Sequence, residues 1–366
     1  MIFLSESEYL ELKKNNISKL DVERALSKEA KDLSLADFNF LLSDTASNFL
    51  EEIASAAKLL TEKYFGKSKG LYVPFYLSNA CHNECTYCGF SISNKIRRKT
   101  LTILEMEKEL KEIYSRGHRQ ILLVSGELKD FKNIDYLNNS VLLSQKVGFS
   151  SIAVEFGSLS VEDAKLLRIS GADKFVLYQE TYHPNTYSEV HLKGKKTDYS
   201  HRLEGINRAV EGGFSKVGCG YLAGLFENDY EALSIFNHFR FLQKEYWQVQ
   251  FSLSIPRIKI AEGLKEIKYP LSDKIFAQTL FAFRLAFPQM PILLSTREDI
   301  SLRDGLLNIC ITDLSCDSST APRDNGEKHL EQFKISDPRT LEKISRDIRN
   351  QGFDIHLKDS ELFSAL

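Results

Sequence analysis

Three cysteines lie within one short stretch of the chain, at Cys81, Cys85 and Cys88, and Gly89 and Phe90 follow directly. Cysteine thiolates are the usual ligands of iron–sulfur clusters, and three of them on so tight a loop can hold three irons of a [4Fe–4S] cube. The fourth iron is then left without a protein ligand, open to a small chelating molecule. The spacing therefore predicts a cluster with one open iron at this loop.

Two other uses of these cysteines fit the sequence less well. A structural zinc site needs a fourth Cys or His in tetrahedral geometry, but His82 sits beside Cys81 in the same turn and no second C-x-x-C follows. Six cysteines in 366 residues are sparse for a disulfide framework, and the start of the chain lacks the features of an export signal. We therefore expect a reducing compartment, the cytoplasm. Cys219 and Cys310 are predicted core residues, whereas Cys316 is either reactive or merely exposed.

Composition narrows the class of protein. With 43% hydrophobic and 27% charged residues, the chain is long enough to bury one large core with appendages. A formal net charge of −2 gives no electrostatic case for nucleic acid, and no apolar run approaches the length that spans a membrane. The short basic run Lys95–Lys99 is predicted to be a solvated loop face or a support of the cysteine loop.

The periodicity of apolar residues changes near residue 70. Residues 1–70 show helical spacing and are predicted to form an N-terminal helical cap. From Leu71 onward, short apolar runs alternate with longer amphipathic segments, which is typical of βα units around a parallel sheet. The predicted strands are Leu71–Leu77, Gln120–Val124, Ser151–Phe156, Lys174–Tyr178, Lys216–Leu222, Gln248–Ser254, Ile292–Ser295 and Ile309–Asp313. The predicted helices between them are Leu104–Tyr114, Val161–Ile169, Tyr199–Val210, Tyr230–Tyr246 and Lys274–Phe287.

Eight strands of this kind predict an α/β fold, a closed (βα)8 TIM-type barrel over residues 71–320, with a C-terminal extension, 321–366, packing on it. Catalytic groups of such barrels gather at the C-terminal ends of the strands. The cysteine loop follows the first predicted strand. Polar residues that follow the later strands are Ser125, Gly126, Glu127, Glu155, Gln179, Glu180, Arg257, Ser295 and Arg297. The sequence thus predicts carboxylates and a cationic group on the same rim as the cluster.

The chain resembles the 2-iminoacetate synthases, the tyrosine lyases of bacterial thiamine biosynthesis, within the radical S-adenosylmethionine (SAM) superfamily. The cysteine loop is common to the superfamily, and the later motifs point to this branch. The motifs that carry the resemblance are Cys81–Phe90, Ser125–Glu127, Tyr178–His183, His191–Lys196, Tyr246–Trp247, Ser254–Arg257, Leu294–Glu298 and Leu330–Phe333. The match is collinear over nearly the whole chain.

The resemblance implies two cofactors, a [4Fe–4S] cluster held by Cys81, Cys85 and Cys88, and SAM. By analogy Tyr87 lies near the adenine or shields the cluster from water, and Ser125, Gly126 and Glu127 correspond to the element whose backbone binds the SAM amine. By loose alignment with biotin synthase, Gln179 and Glu180 fall where the ribose hydroxyls are held, and Arg202 falls where the SAM carboxylate is paired. Leu222 would give the adenine an apolar edge. The alternative for Arg202 is a surface ion pair with Asp198 or Glu204.

The implied substrate is L-tyrosine, whose carboxylate needs a cationic partner. Arg297, beside Ser295, is the first candidate, and Arg257 is the second; either one is alternatively a structural rim pair. Glu155, which we also include among the cofactor contacts, and Glu180 are candidates to meet an ammonium or to move the phenol proton. His183 and His191 are candidate bases or hydrogen-bonded loop anchors.

The implied reaction takes a hydrogen from the amino group of tyrosine and breaks the Cα–Cβ bond. The products are 2-iminoacetate and p-cresol, with methionine and 5′-deoxyadenosine from SAM. Implied partners are a thiazole synthase (ThiG) and a reduced flavodoxin or ferredoxin. Three alternatives stay open: a tryptophan lyase of the same branch, the tyrosine lyase of [FeFe]-hydrogenase maturation, and a non-catalytic iron–sulfur redox protein. The hydrogenase-maturation reading expects a further C-terminal cysteine motif, which is not found before Leu366.

Overall fold

A computed structural model describes residues 4–14, 16–128, 132–264, 266–322 and 331–357. Its centre is a barrel of eight parallel strands, which we number β1 to β8. The strands are β1 (Ser68–Ser78), β2 (Gln120–Ser125), β3 (Ser151–Glu155), β4 (Lys174–Glu180), β5 (Lys216–Tyr221), β6 (Gln250–Ser254), β7 (Ile292–Leu294) and β8 (Asp313–Ser315). Because β8 pairs with both β7 and β1, the sheet closes on itself. The predicted (βα)8 fold is confirmed.

Alternation along each strand separates the barrel interior from the layer beneath the helices. In β4, Phe175 and Leu177 are buried in the main apolar core, whereas Tyr178 and Glu180 line the interior cavity. Successive side chains of a strand point to opposite faces, so this pattern follows directly from the sequence order. Each large apolar side chain that is buried between the strands and the helices stabilises the fold by about 1.5–3 kcal/mol. Because this layer stabilises the fold, the barrel interior can hold polar groups.

Helices surround the barrel, and most begin at a side chain that caps them. Thr102 and Glu105, for example, form a reciprocal capping box at the start of the helix that follows the cysteine loop. The helices after residue 100 are Ile103–Ser115, Lys132–Val147, Val161–Ile169, Pro184–Val190, Tyr199–Leu203, Gly205–Glu211, Asn228–Glu245, Asp273–Ala286, Ile300–Leu307 and Leu341–Asn350. Two short strands, Glu84–Cys85 and His191–Lys193, pair antiparallel, and Asp354–His356 pairs in parallel with the start of β1.

The N-terminal residues are helical, as predicted. Their helices are Glu6–Lys14, Lys19–Leu26, Leu35–Leu42 and Leu50–Phe65. Phe38 packs against Phe236 and Phe283 of two barrel helices, with ring centroids 4.6 and 4.9 Å apart. These helices are thus fastened to the helical layer of the barrel. The boundaries 1–70, 71–320 and 321–366 stay a prediction, and part of the C-terminal extension lies outside the described residues.

The eighth predicted strand, Ile309–Asp313, is wrong. The strand is Asp313–Ser315, and the amides of Cys310 and Ile311 instead donate to the Leu306 carbonyl, closing the preceding helix. An apolar run buried by the turn after a helix has the same composition as a buried strand, so periodicity does not separate the two. The predicted helix Tyr199–Val210 is also divided, at Glu204, into two helices.

Among the described residues, no helix combines the length and the apolar character needed to span a bilayer.

Candidate active site

The cysteine loop leaves β1 at the C-terminal mouth of the barrel, and main-chain carbonyls around it are held by one arginine. Arg98 donates to the carbonyls of Asn79 and Phe90 at 2.8 Å each and to that of Ser91 at 2.6 Å. Cys85 pairs with His191 in the short antiparallel ribbon. The basic run Lys95–Lys99 is predicted from the sequence to be either a solvated loop face or a support of the cysteine loop. Arg98 supports the loop.

The three thiols form a donor set suited to a polynuclear iron cluster. Burial is the main cause that raises the pKa of Cys81 and, against the opposing charge of Lys196, raises that of Cys85 to about 12; the neighbouring thiols contribute in the same direction as burial. Bound iron would offset this cost by neutralising the thiolates. Among the described residues, no three His, Cys, Asp or Glu side chains converge closely enough for one metal ion. In a [4Fe–4S] cube, by contrast, each thiolate binds a different iron, so the three sulfur atoms need not converge on one point.

The Ser125–Glu127 segment lies directly against the cysteine loop. A Cβ at Gly126 would lie 2.2 Å from the Ala80 carbonyl oxygen and 3.1 Å from Cys81 Cβ, so only glycine fits there. The His82 amide donates to the Glu127 carbonyl at 2.9 Å, and the Ser125 hydroxyl donates to the Gly126 carbonyl at 2.9 Å. The segment is thus held in contact with the loop that carries Cys81.

Arg202 joins two of the predicted carboxylates. It is buried and pairs with Glu127 at 3.2 Å and with Glu180 at 3.4 Å, and its Nε donates to the Tyr178 carbonyl at 2.9 Å. The alternative of a surface ion pair with Asp198 or Glu204 is therefore wrong. The side chain faces the barrel because α-helical spacing places Arg202 on the inner side of its short helix.

Glu180 is the centre of this network. Lys196 Nζ lies 2.5 Å from its Oε1, so the carboxylate has two cationic partners. Its backbone has φ of 72°, which is uncommon for a non-glycine residue. The next turn is fixed from below, where the buried carboxylate of Glu231 accepts from the Thr181 hydroxyl and the Tyr182 amide. The fold therefore holds Glu180 in an unfavourable conformation at the site.

Tyr87 is anchored through His191. The Tyr87 hydroxyl donates to His191 Nε2 at 2.8 Å, because Nδ1 carries the proton that is donated to the Tyr187 carbonyl at 2.9 Å. Burial, followed by the charges of Lys196 and Arg202, lowers the pKa of His191 to about 2. His183 caps the helix Pro184–Val190 by accepting from the Thr186 amide. Both histidines are thus loop anchors, the second of the two readings.

A cavity of about 130 Å³ at the barrel mouth is lined by Tyr87, Glu180 and Lys196 of this network. Its polar lining includes Glu155, Glu180, Ser295 and Arg297, and Tyr87, Leu222 and Cys88 line it as well. Burial raises the pKa of Glu155 to about 7, and the charge of Glu180 adds to the shift. The rest of the lining is mixed. Its aromatic and aliphatic part includes Tyr72, Pro74, Tyr76, Leu122, Val124, Tyr178 and Ile258, and its polar part includes Lys196 and Lys259.

The two candidate arginines have different surroundings. Arg257 is held by Glu298 and by Asp273 at 2.7 Å, so the structural rim pair is the correct reading for it. Arg297 lines the cavity, stacks on the Phe333 ring at 3.5 Å and donates to the Arg257 carbonyl at 3.3 Å. Among the described residues, no carboxylate pairs with Arg297. Of the described cations that line the cavity, Lys196 pairs with Glu180 at 2.5 Å and Lys259 with Glu298 at 3.9 Å, so Arg297 is the one that remains available to an incoming anion.

Three predicted or missed residues complete the comparison with the sequence. Gln179 does not line the cavity, and both polar atoms of its buried amide lack a partner within the described residues. Cys316 is fully buried, with its pKa raised by burial to about 12, so the reading as reactive or exposed is wrong. Lys196 is not among the predicted site residues, although it belongs to the motif His191–Lys196. A lysine in a loop gives no indication of burial until its carboxylate partner is placed.

Comparison with known proteins agrees with this geometry. The family described as "Radical SAM superfamily" matches residues 75–238, and the "Biotin and Thiamin Synthesis associated domain" matches residues 254–354. The chain is 39% identical to a 2-iminoacetate synthase of Salmonella typhimurium, covering 97% of this chain and 94% of that protein. It is 38% identical to one of Escherichia coli, covering 96% and 93%. A solved structure of HydG, a maturase of the [FeFe]-hydrogenase, superimposes with a TM-score of 0.91 at 28% identity, covering 97% of this chain and 80% of that one.

The closed barrel with a three-cysteine loop at its mouth defines a radical SAM enzyme. Within that superfamily, the chain belongs to the 2-iminoacetate synthase family. The predictions of a radical SAM lyase of this family, dependent on a [4Fe–4S] cluster and SAM, are confirmed.

Proposed function

We propose that the cavity binds L-tyrosine and that the chain cleaves its Cα–Cβ bond to give 2-iminoacetate and p-cresol. The observation that carries the proposal is Arg297, a cation available to an anion in a cavity that is also lined by the cluster ligand Cys88. A guanidinium pairs with an amino-acid carboxylate through two parallel charge-assisted bonds, and Ser295 lies beside it. An amino acid anchored there lies in the same cavity as the cysteine loop.

When bound, the cluster and SAM supply the radical that takes a hydrogen atom from the substrate amino group. We assign Cys81, Cys85 and Cys88 to the cluster. The residues assigned to SAM are Tyr87, Ser125, Gly126, Glu127, Arg202 and Leu222; Gln179, whose buried side chain does not line the cavity, is left out of this set. Glu127 and Glu180 already pair with Arg202 and fix its position. We propose that Arg202 contacts SAM while it keeps these two ion pairs.

We assign Glu155 to the substrate amine. Its pKa of about 7 means that a large fraction is ionised at neutral pH and can accept a proton from an ammonium group. Glu180 is less suited to this task, because Lys196 and Arg202 hold its carboxylate. We therefore assign Glu180 to positioning these two cations at the site.

The apolar part of the cavity suits an aromatic ring. Leu122, Val124 and Pro74 provide aliphatic surface, and Tyr76 and Tyr178 provide ring surface and hydroxyl groups. Sites for small ligands commonly combine such a lining with a few polar groups that fix the orientation. The phenol ring of tyrosine would occupy this part while Arg297 holds the carboxylate.

Two macromolecular partners follow from the chemistry. An imine such as 2-iminoacetate hydrolyses readily in water, so we propose direct transfer to a thiazole synthase (ThiG). The cluster must also be reduced, and we propose a reduced flavodoxin or ferredoxin as the donor.

A matched pair of cysteine variants tests the proposal. Reduced, reconstituted protein is incubated without oxygen with SAM and L-tyrosine, and p-cresol and 5′-deoxyadenosine are quantified. Cys85→Ala should lose most of the iron and both products. Cys310→Ala, at a buried cysteine away from the cavity, should retain them. An intact cluster with 5′-deoxyadenosine but no p-cresol would reject tyrosine as the substrate.

A further inference from the structure

The segment Glu331–Phe333, which we call the C-terminal strap, lies directly on the cysteine loop. The Gly89 amide donates to the Gln332 carbonyl at 3.3 Å, and the Gln332 amide donates to the Thr320 carbonyl at 2.9 Å. A Cβ at Gly89 would lie 2.7 Å from the Gln332 carbonyl oxygen. Glycine after the last cluster cysteine is thus required for this approach. Leu330, which precedes the strap in the motif, lies outside the described residues.

The Gln332 side chain reaches a cluster ligand. Its Nε2 lies 3.7 Å from Cys88 Sγ, within the range of a hydrogen bond to sulfur. The Tyr76 hydroxyl donates to Gln332 Oε1 at 2.8 Å, which fixes the amide with its N–H group toward the thiol. Tyr76 is itself held in β1, where its buried ring packs edge-on against Phe90 at 6.0 Å.

We propose that Gln332 tunes the reduction potential of the iron–sulfur cluster through an N–H···S hydrogen bond to Cys88. Reduction adds negative charge to a cluster, and hydrogen bonds to its sulfurs stabilise the more negative state. Gln332 therefore raises the potential and makes the cluster easier to reduce. Tyr76 acts one step further away, as a positioning residue that orients the amide.

The inference rests on the cluster at Cys81, Cys85 and Cys88 and not on the identity of the substrate. Its test is accordingly a potential and not a product. A redox titration of reconstituted protein, monitored by the electron paramagnetic resonance signal of the reduced cluster, gives the midpoint potential without SAM or tyrosine. Iron and sulfide are measured on the same samples.

Gln332→Leu removes the donor while keeping the size of the side chain. We expect the midpoint potential to become more negative, by up to a tenfold change in the one-electron reduction equilibrium, or about 59 mV. Tyr76→Phe should shift it in the same direction by less, since the amide is retained but no longer oriented. Gln243→Leu, the same change at an exposed position of the helix Asn228–Glu245, should leave it unchanged.

An unshifted potential in Gln332→Leu protein that holds wild-type iron and sulfide would overturn the inference. If the Gln332→Leu protein does not bind the cluster, the midpoint potentials of Tyr76→Phe and Gln332→Glu test the inference instead. The glutamate places a negative charge beside Cys88 and should lower the potential more than leucine does. No shift in either of these two variants would equally overturn it. A shifted potential in Gln332→Leu protein, together with no p-cresol from wild-type protein that holds an intact cluster, would support this inference and reject the proposed function.

Discussion

At the scale of single residues, the site separates charges that are already paired from charges that are available. Glu127, Glu180, Lys196 and Arg202 neutralise one another beside the cysteine loop. Arg297 and Glu155 line the same cavity, and neither forms an ion pair among the described residues. An amino acid carries one carboxylate and one amine, so its charges match these two groups.

A pH profile tests the role of Glu155. As a general base it must be ionised, so kcat/KM should rise with pH through about 7, the pKa that burial and Glu180 give it. Glu155→Gln should lower kcat/KM by about 100-fold and remove this limb of the profile. If kcat/KM of the wild-type protein does not change between about pH 6 and 8, the assignment of Glu155 as a base is contradicted.

Substitution of the two arginines should give different defects. Arg297→Gln should raise the KM for tyrosine by roughly 10- to 100-fold, the loss expected for a charge-assisted pair, with little change in stability. Arg257→Gln should instead lower the free energy of unfolding by about 3 kcal/mol, because it removes a partner of the buried Glu298 carboxylate. Steady-state kinetics and denaturant unfolding measure the two effects. Equal KM values for Arg297→Gln and wild type would refute the substrate role.

At the residue level, the sequence predicts best where residue type alone determines the chemistry. The spacing of Cys81, Cys85 and Cys88 predicts the cluster, because thiolates are specific ligands. The sequence does not decide between Arg257 and Arg297, since both follow strands in similar sequence context. The choice required the position of Glu298, which is remote in sequence from Arg257 and occupies its guanidinium.

At the scale of elements, the segment that carries the C-terminal strap is pinned beneath the mouth of the barrel. Asp337 is fully buried and pairs with the equally buried Arg303 of the helix Ile300–Leu307. Arg339 adds bonds to Asp337 at 2.7 Å and to Asp304 at 2.8 Å. The Asp337 amide also contacts the Thr296 carbonyl at 3.2 Å, next to Arg297. One network therefore supports both the strap and the candidate substrate anchor.

Removing the centre of this network should destabilise the protein strongly. Asp337→Ala leaves Arg303 buried without its carboxylate, which costs about 3–5 kcal/mol in comparable buried pairs. Asp354→Ala, an exposed aspartate in the same C-terminal segment, should cost less than about 0.5 kcal/mol. Denaturant unfolding of reconstituted protein compares the two. Similar free energies for both variants would show that the buried network does not stabilise the segment.

Most elements could be predicted because their apolar periodicity is strong. Val161–Ile169 was placed at its observed bounds, and the boundaries of β1 to β7 shifted by a few residues. β8 could not be placed, because the apolar residues before it are buried by a helix terminus and not by the sheet. The strap also escaped prediction as a functional element, since its contact with Cys88 depends on the return of the chain to the barrel after residue 320.

At the scale of the whole molecule, the barrel brings residues from distant parts of the chain to one cavity. The cysteine loop follows β1, Glu155 and Glu180 end β3 and β4, and Arg297 follows β7. A closed parallel barrel requires this convergence at its C-terminal mouth, whatever the individual side chains are. The position of the cavity is therefore a consequence of topology, and its chemistry a consequence of the side chains that line it.

The most direct test of the central claim, that this cavity cleaves tyrosine between Cα and Cβ, is product analysis of an anaerobic reaction run in D₂O. The amino hydrogens of tyrosine exchange with solvent, whereas its carbon-bound hydrogens at Cα and Cβ do not. The account predicts p-cresol and 5′-deoxyadenosine in equal amounts, with deuterium transferred into the 5′-deoxyadenosine. Formation of 5′-deoxyadenosine without p-cresol, or without deuterium, would contradict it.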